Sequence, residues 1–439
     1  MNMEIKFRRV LSLVLLFVSA FSMKAQDEAY NSFSPYSIYG IGNISRLGTT
    51  VNRSMGGVGI AMRDKRVVNI MNPASVTERD AKSFMADIGL YSENKIYKQR
   101  DLQSVNNTFN ISHFVASFPV YKSFTMYGGF MPYSDLGYRV TAYETDKSII
   151  GNTGNITYNA EGYGGLNKVF LGGALDVLKG LSVGAEFGYI FGNLHKNNSL
   201  VMEKTDFRSI YSGYEMKLHS IVGKFGAQYA FSLGGNKSAV IGATYSLKSN
   251  IRGSVRDFEY GQISSVTDTS RNVINYLSED NRVKIAGELG IGVALKGGDK
   301  WTAEVNYVIS DWTDCGMDVD GFSNIGNSVF SATTSQAVRG GFTIVPNRND
   351  IRYYMKTVTY RAGAYWEKAY YKLDGNTVNS FGLTFGATLP VFRLSNGLSL
   401  GMEIGQRGSL KGNMVRERFV NFTIGLNIFD IWFLKAKYD

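Results

Sequence analysis

The chain has 439 residues, a net charge of +10, 49 glycines, 27 tyrosines and 27 phenylalanines, but only six prolines. Its excess positive charge is spread along the sequence and forms no readable basic face, so nucleic acid is not expected as a partner. A single cysteine, Cys315, excludes an internal disulfide and makes a poor metal ligand by itself, so no metal is expected.

Residues 1–25 have the features of a secretory signal peptide. Three basic residues precede the apolar stretch 10–21, which is too short to cross a bilayer as a helix. Ala25 is a plausible residue before the cleavage point. No later run of 18 apolar residues occurs, so the exported chain is expected to be either soluble or a membrane β-barrel.

Strict alternation of apolar and small or polar residues decides between these two classes. In residues 181–192, Leu, Val, Ala, Phe, Tyr and Phe alternate with residues that are mostly Gly, Ser or Glu, and 283–295 repeat the pattern from Val283 and Ile285 onward. Runs of this length suit tilted strands that cross a bilayer better than the shorter strands of globular sheets. The polar face is mostly glycine, whereas a soluble sandwich would bury bulky residues, so a membrane barrel is favoured.

The same pattern predicts fourteen antiparallel strands that form one barrel over residues 83–439. Short connections alternate with long ones, as in outer-membrane barrels, where short turns lie at one rim and long loops at the other. The sequence therefore predicts an outer-membrane, multi-pass β-barrel. The predicted strands are 83–92, 108–118, 122–133, 164–175, 180–192, 213–231, 237–250, 281–295, 300–312, 334–345, 355–371, 377–389, 397–409 and 416–435.

Residues 26–82 precede the first predicted strand and contain no alternation of strand length. They are too apolar for a disordered tail, although a periplasmic tail is the alternative. Fourteen strands lined largely by glycine would leave an open lumen. We therefore expect residues 26–82 to fold back as a plug, with Gly56, Gly57 and Gly59 allowing tight turns and close packing against the wall.

The motif Asn72-Pro73-Ala74 follows a Met-Gly-Gly-Val-Gly-Ile-Ala run and stands just before the first strand. In this place it resembles the hatch of the FadL/TodX family, whose members are 14-stranded outer-membrane barrels that take up fatty acids and other hydrophobic compounds. The resemblance covers the layout of the whole mature chain but only the hatch in motif. It departs from the family at residues 63–66, which put dense charge into the plug.

The resemblance also implies a lateral gate, since family barrels have a kinked third strand that opens a window toward the lipid. Pro132 stands within or at the end of the third predicted strand, just after Gly128 and Gly129. Proline removes a ladder hydrogen bond and glycine weakens a strand. We expect residues 127–133 to form such a gate; the alternative is that the strand ends at residue 131.

Charged residues on the predicted lumen face need partners, because a buried charge is costly unless it is paired. We expect them to anchor the plug through ion pairs with its basic residues. The lumen carboxylates are Glu186, Glu288, Glu304 and Glu403, and the plug cations are Arg63, Lys65 and Arg66.

The remaining candidate sites do not predict chemistry. Ser112 and His113 are strand neighbours that should face opposite sides, so we do not expect an enzyme. Asp314, Asp318 and Asp320 lie in a predicted outer loop whose spacing does not match an EF-hand, and a solvated acidic loop is the better interpretation. No cofactor is expected.

Two functions remain open. The first is passive uptake of fatty-acid-like hydrophobic molecules through the plugged barrel, with a hydrophobic ligand, lipid or detergent as the partner. The second is a non-transporting, FadL-like barrel subunit of an outer-membrane protein secretion or barrel-assembly machine, with other envelope subunits as partners. A continuous apolar pocket beside the plug would favour uptake, whereas a plug held by salt bridges would favour the subunit.

Overall fold

The computed structural model describes residues 32–80, 82–121, 123–264, 266–277, 283–317, 319, 321–322, 329–391, 397–412 and 414–431. The predicted signal peptide, residues 26–31 of the predicted plug, Asp318 and Asp320 lie outside these residues. Within them, none of the helices has the length and apolar character needed to cross a membrane.

In the described part of the chain, twenty strands and three short helices form in chain order. The helices are α1 (Thr50–Arg53), α2 (Lys147–Thr153) and α3 (Tyr354–Thr357), with 3-10 turns at Pro35–Ile38 and Pro73–Thr77. The strands are β1 (Asn43–Ile44), β2 (Ser83–Gln99), β3 (Leu102–Tyr121), β4 (Phe124–Tyr143), β5 (Ile156–Leu178), β6 (Leu181–Met202), β7 (Ser209–Gly234), β8 (Lys237–Ser246), β9 (Ser249–Asn250), β10 (Arg252–Ile263), β11 (Val266–Leu277), β12 (Lys284–Ile285), β13 (Glu288–Gly297), β14 (Trp301–Asp311), β15 (Phe330–Ala332), β16 (Thr334–Ile344), β17 (Thr359–Leu373), β18 (Asn376–Pro390), β19 (Gly397–Arg407) and β20 (Arg416–Ile431).

The strands from β2 to β20, except β9 and β12, make a closed antiparallel barrel with fourteen wall positions. Strands β8 and β10 share one position, β11 and β13 share the next, and β15 shares one with β16. The barrel closes where β2 pairs with β20, from Ser83 opposite Ile431 to Lys98 opposite Arg416. The predicted fold class and strand number are confirmed.

The alternation of side chains places an apolar belt on the outside of the wall. Phe187 is 58% exposed and Leu383 54%, while their lumen-facing neighbours Glu186 and Thr384 are buried. Every second side chain therefore faces lipid, and the small or polar side chains between them face the lumen. Short turns join β3 to β4, β5 to β6 and β7 to β8 at the end where β2 begins and β20 ends. We refer to it as the short-turn end and to the opposite end as the mouth.

One part of the predicted alternation faces the other way. Val283 and Ile285 were expected in the lipid-facing row, but both are buried. The reason is that β12 leaves the barrel sheet and pairs with β9, and Ile251 N–H donates to the Val283 carbonyl. This small second sheet packs into the hydrophobic core at the mouth. The lipid-facing row therefore starts only at β13.

Candidate functional site

Residues 32–80 contact the barrel wall on several sides; we refer to them as the plug segment. The Gly56 N–H donates to Thr384 Oγ1 at 2.7 Å on β18, and the Ala61 N–H donates to the Glu304 carboxylate at 2.8 Å on β14. Asn72 Nδ2 reaches the Ala227 carbonyl of β7 at 3.1 Å. Contacts to such widely separated strands support the proposed plug.

At the mouth, the plug segment is covered by a large apolar core. Tyr36, Tyr39 and Ile41 of the plug segment pack there against the β14–β15 loop and the part of the wall nearest the mouth. The mouth cluster comprises these residues with Leu136, Trp312, Phe322, Phe330, Tyr370 and Tyr371, all of them buried.

A buried lysine ties this cover together. Lys196 of β6 is fully buried, and its ammonium donates to the carbonyls of Ile38 at 2.8 Å and Gly321 at 2.7 Å. The first belongs to the plug segment and the second to the β14–β15 loop, while Gly40 N–H donates to the Phe322 carbonyl. An ammonium that replaces its water shell with backbone carbonyls fixes both elements to the wall.

Toward the short-turn end, a second apolar core packs the plug segment against the wall. Val68, Ile70 and Val76 of the plug segment contact Tyr127 and Phe170, and all five are buried. The segment is thus packed against the wall at both ends of the lumen.

The predicted hatch motif lies between these two ends. Asn72 caps the 3-10 turn, since its Oδ1 accepts from Ala74 N–H at 3.0 Å, and Pro73 and Ala74 form the first turn. Gly56 and Gly57 have φ of 71° and 80°, which favour glycine. Gly59 packs against Asn52, Asn69 and Met71, where a larger residue would not fit.

Replacing Asn72 with alanine is expected to destabilise the folded barrel by about 1–3 kcal/mol. The side chain is fully buried, and its Nδ2 also donates to the Ile60 carbonyl at 2.8 Å, so alanine removes the cap and a link inside the segment. Asn72→Asp keeps the cap acceptor but places a carboxylate against carbonyls, so it should be at least as harmful. The measurement is the temperature at which the folded band disappears on a denaturing gel. Asn152→Ala, on exposed α2, should leave that temperature unchanged.

The three predicted plug cations do not contact the predicted lumen glutamates. Arg63 lies at the short-turn end, 3.2 Å from Glu78 of the plug segment and 3.7 Å from Asp176 of β5. Lys65 is exposed, and the Arg66 N–H donates to Asp64. Of the three, Arg63 links the segment to the wall, but through the short-turn rim and not through the lumen, because the 63–66 run lies below the barrel interior.

The lumen glutamates have partners of three kinds. Glu186 pairs with wall residues, Lys168 Nζ at 2.6 Å and Tyr127 Oη at 2.7 Å, in place of the expected plug cation. The prediction missed this because Lys168 faces the lumen from the neighbouring strand. Glu304 accepts a plug N–H from Ala61, and Glu403 pairs with a plug arginine, Arg46. Glu288 lines a cavity in the lumen.

Arg46 is the plug residue that sequence reasoning overlooked. Its guanidinium lies 3.1 Å from Glu367, contacts Glu403, and sits 3.6 Å from the centre of the Tyr365 ring. Burial alone would lower the pKa of Arg46, yet the two carboxylates raise it well above its ordinary value. The sequence offered a signal for this ion pair, because Arg46 lies early in the predicted plug and the predicted lumen face carries several glutamates.

For nearby plug groups, the effect of burial on the pKa outweighs that of the surrounding charges. Burial lowers the pKa of the Arg53 guanidinium, which donates to the Arg46 carbonyl at 3.1 Å. Burial likewise raises the pKa of the Tyr36 hydroxyl far above its usual value, and that hydroxyl donates to the Val415 carbonyl. The plug segment is therefore held by polar contacts to the wall as well as by apolar packing.

The space left beside the plug segment is lined by both charged and apolar side chains. A cavity of about 360 Å³ lies in the lumen, between plug and wall. Ionisable side chains line much of it, including Arg46, Lys224, Glu288, Glu367, Arg407 and Glu417. A hydrophobic molecule that filled this space would displace water from the charged side chains without replacing their contacts.

Near the three predicted gate residues, the neighbouring wall strands β3 and β4 separate. Strands β3 and β4 pair only from Tyr121–Phe124 up to Phe114–Phe130, a stretch that includes Gly128 and Gly129. Above it, the pairing of β4 with β5 shifts between Pro132 and Ser134. The third wall strand does not end at residue 131 but continues to Tyr143. We refer to the divergence of β3 and β4 above Phe114 as the seam.

The plug segment fills the seam from inside, along the edge of β4. Asn43 and Ile44 of β1 pair with Asp135 and Ser134, and Ser34 N–H donates to the Gly137 carbonyl at 2.8 Å. A Cβ on Gly137 would overlap the Ser32 carbonyl, so glycine permits this approach. The edge of β4 is thereby occupied.

A second irregularity lies opposite, in β3. The pairing of β2 with β3 shifts between Gly89 and Leu90, so Ser112 is an extra residue and faces the lumen together with His113. His113 Nδ1 lies 3.0 Å from Ser112 Oγ, and its Nε2 contacts Asp87. Our expectation that neighbours face opposite sides was wrong here because of the bulge. All three are fully buried, which leaves no room for a substrate.

Comparisons with known proteins agree on the fold. The toluene transporter TbuX of Ralstonia pickettii is 14% identical, with 86% of this chain and 97% of that chain covered and a TM-score of 0.55. The toluene transporter TodX of Pseudomonas putida is 13% identical, with 89% of this chain and 99% of that chain covered and a TM-score of 0.53. A FadL homologue of Pseudomonas aeruginosa is 10% identical, with 89% of this chain and 100% of that chain covered and a TM-score of 0.54. The predicted barrel fold of FadL/TodX type is confirmed.

Sequence comparison identifies the family itself. A search of curated proteins found no match. The sequence model of BamG matches residues 7–439, nearly the whole sequence. The chain therefore belongs to the BamG family.

Proposed function

We propose that this protein is a non-transporting barrel subunit of an outer-membrane machine for barrel assembly. The observation that carries the proposal is the ion-paired plug segment: Arg46 joins Glu367 and Glu403 in the lumen. Salt-bridged closure was the feature that distinguished a subunit from an uptake channel. A lumen closed by salt bridges suits a barrel that does not conduct solutes and whose surfaces bind other subunits.

Two further observations support this function. The mouth cluster and Lys196 cover the end through which a ligand from outside would enter. Family membership points the same way, because the BamG model is a different family from the hydrocarbon channels that share the fold. The Bam designation favours barrel assembly over secretion.

The test is purification of the chain from its own outer membrane in a gentle detergent, followed by mass spectrometry. We expect a fixed set of other envelope proteins to co-purify in constant ratio. The matched control is another abundant barrel from the same membrane, purified through the same tag. Recovery of the chain alone, as expected for a channel, would refute the proposal.

Uptake of hydrophobic molecules remains a second candidate because the wall parts at the seam beside Pro132. If that opening is a lateral gate, replacing Gly128, Gly129 and Pro132 with valine should slow the uptake of apolar solutes into proteoliposomes about tenfold or more. A Cβ at Gly129 would overlap the Phe114 carbonyl oxygen, so uptake is compared only for protein that keeps its folded band on a gel. Gly340→Val, at a position with open space around it, is the control. Unchanged uptake in the triple variant would dismiss the gate.

A further inference from the structure

The connection between β16 and β17 is longer than other turns at the short-turn end. Two residues join β5 to β6 and β7 to β8, and three join β13 to β14, whereas residues 345–358 lie between β16 and β17. This connection includes α3 and rests on the β13–β14 turn, because the Val345 N–H donates to the Lys300 carbonyl at 2.7 Å. Outer-membrane barrels reverse direction at this end with short turns, so the extra length points to a further role.

The 345–358 connection is ordered by its own polar contacts. The Asp350 carboxylate accepts from the Arg352 N–H at 2.9 Å and from the Tyr353 N–H at 2.8 Å. The Asn347 N–H donates to the Lys356 carbonyl at 2.9 Å, which closes the base of the connection. A surface that is already ordered loses less conformational entropy when a partner binds to it.

Apolar side chains project from this ordered connection. Ile351 is 100% exposed, Met355 62% and Tyr353 60%, and Tyr354 is exposed as well. Single exposed apolar residues are ordinary, but four among residues 351–355 form a contiguous group. Tyrosine and methionine are also enriched at protein–protein interfaces relative to the rest of a protein surface. The connection therefore has the composition of a contact surface.

Positive charge borders this apolar group. Arg352 and Lys356 are exposed within the connection. The connection contains one carboxylate, Asp350, which lies 3.6 Å from Lys356 and already accepts two backbone N–H groups. It therefore offers little charge to a partner. The surface that the connection presents is apolar and positively charged.

Arg348 joins this charge to the plug segment. Its guanidinium interacts electrostatically with Arg66, which repels it, and with Asp64 and Asp299, which attract it. Lys65, next to Arg66 in the sequence, is exposed. Like charges held near each other favour a partner that supplies carboxylates. The positive surface thus reaches from the connection to the charged run of the plug segment beneath the lumen.

We infer that residues 345–358, with Lys65 and Arg66, are a docking surface for an acidic face of another protein subunit in the periplasm. Short turns lie at the periplasmic rim of outer-membrane barrels, so this surface is open to that compartment. Lipid surrounds the wall but does not extend beneath the lumen, where Arg66 lies, so a protein face suits the whole surface better than a membrane. The inference rests on the proposed function for the identity of that subunit.

Site-specific photocrosslinking in cells tests the docking surface. A photoreactive residue is placed at Ile351, whose side chain is fully exposed, so the probe should not disturb folding. We expect adducts with one periplasmic protein, at a segment rich in aspartate and glutamate. A probe at Tyr121 of β3 is the matched control, because this residue is 70% exposed at the same end of the barrel and should give no adduct with that segment.

Arg352→Glu should lower the yield of the Ile351 adduct about tenfold, because a glutamate there repels an acidic partner. The substitution leaves the apolar group unchanged, and the backbone N–H of residue 352 can still donate to Asp350. Lys237→Glu, at an exposed position beside the β7–β8 turn, makes the same change of charge and should leave the yield unchanged. Arg352→Gln, which should lower the yield less, is a second variant in case the first folds poorly. The folded band on a gel reports folding for each.

The outcomes separate this inference from the proposed function. If other subunits co-purify with the chain but the Ile351 probe reacts with no other protein, or only with phospholipid or with another part or copy of this chain, the docking surface is refuted and the subunit function stands. Equal yields from Arg352→Glu and Lys237→Glu refute an acidic partner. If an acidic protein is crosslinked but no fixed set of subunits co-purifies, the proposed function fails and the docking surface stands. If neither is found, both fail.

Discussion

Replacing Arg46 with alanine is expected to lower the stability of the folded barrel by about 3 kcal/mol and to loosen the plug segment. The change leaves Glu403 without its cationic partner, and Glu367 retains only Arg339, 2.9 Å away. Breaking an ion pair by removing one partner leaves an uncompensated charge. The side chains of Arg46, Glu367 and Glu403 are 20–24% exposed, so the lower part of the usual range applies.

Two measurements check this expectation. The folded band should disappear at a lower temperature, and the variant should pass ions across a planar bilayer where the wild-type chain does not, because the loosened segment widens a cavity already lined by charges. Arg139→Ala is the matched control: its pair with Glu161 lies at the surface, 51% exposed on the arginine side, and should contribute less than about 1 kcal/mol. Equal behaviour of the two variants would contradict a role for Arg46 in closing the lumen.

The membrane-spanning part of the wall could be predicted because lipid imposes a strict rule on it. Every backbone group must pair within the barrel, and every second side chain must be apolar. Phe187, Phe225 and Leu383 show that row in the sequence and are exposed in the structure. Outside the membrane, the wall strands do not have to follow this alternation of side chains. Strand β3 starts at Leu102 and not at the expected residue 108, because its outer part alternates polar residues with few apolar ones.

The lumen was harder to predict because contacts there join residues far apart in the sequence. Arg46 and Glu403 are 357 positions apart, and no pattern in either region specifies the pair. The bulge at Ser112 is another such case, since one extra residue reverses the side on which a side chain lies. The glycines were more informative, since a lumen face lined largely by glycine predicted a space that residues 26–82 were expected to fill.

Substitution of Gly341 with alanine is the sharpest test of that close approach. Gly341 of β16 stands opposite Gly363 of β17, and both meet the plug segment at Met55 and Gly56. A Cβ at Gly341 would overlap the Met55 carbonyl oxygen and lie 2.8 Å from Val58 Cγ2. Backbone cannot move aside as a flexible side chain can. Overpacking of this kind is expected to destabilise the barrel by about 1–3 kcal/mol.

The neighbouring residue provides the control, because Gly340 faces outward and a Cβ there would meet nothing within 4 Å. Gly340→Ala changes the same strand by the same methyl group, so any difference between the two variants reports the plug and not strand propensity. We expect the folded band of Gly341→Ala to disappear several degrees earlier and that of Gly340→Ala to match the wild type. Gly363→Ala should resemble Gly341→Ala, since it meets the same plug backbone. If all three melt together, the segment does not press against this wall, and the closure of the lumen must rest on its ion pairs alone.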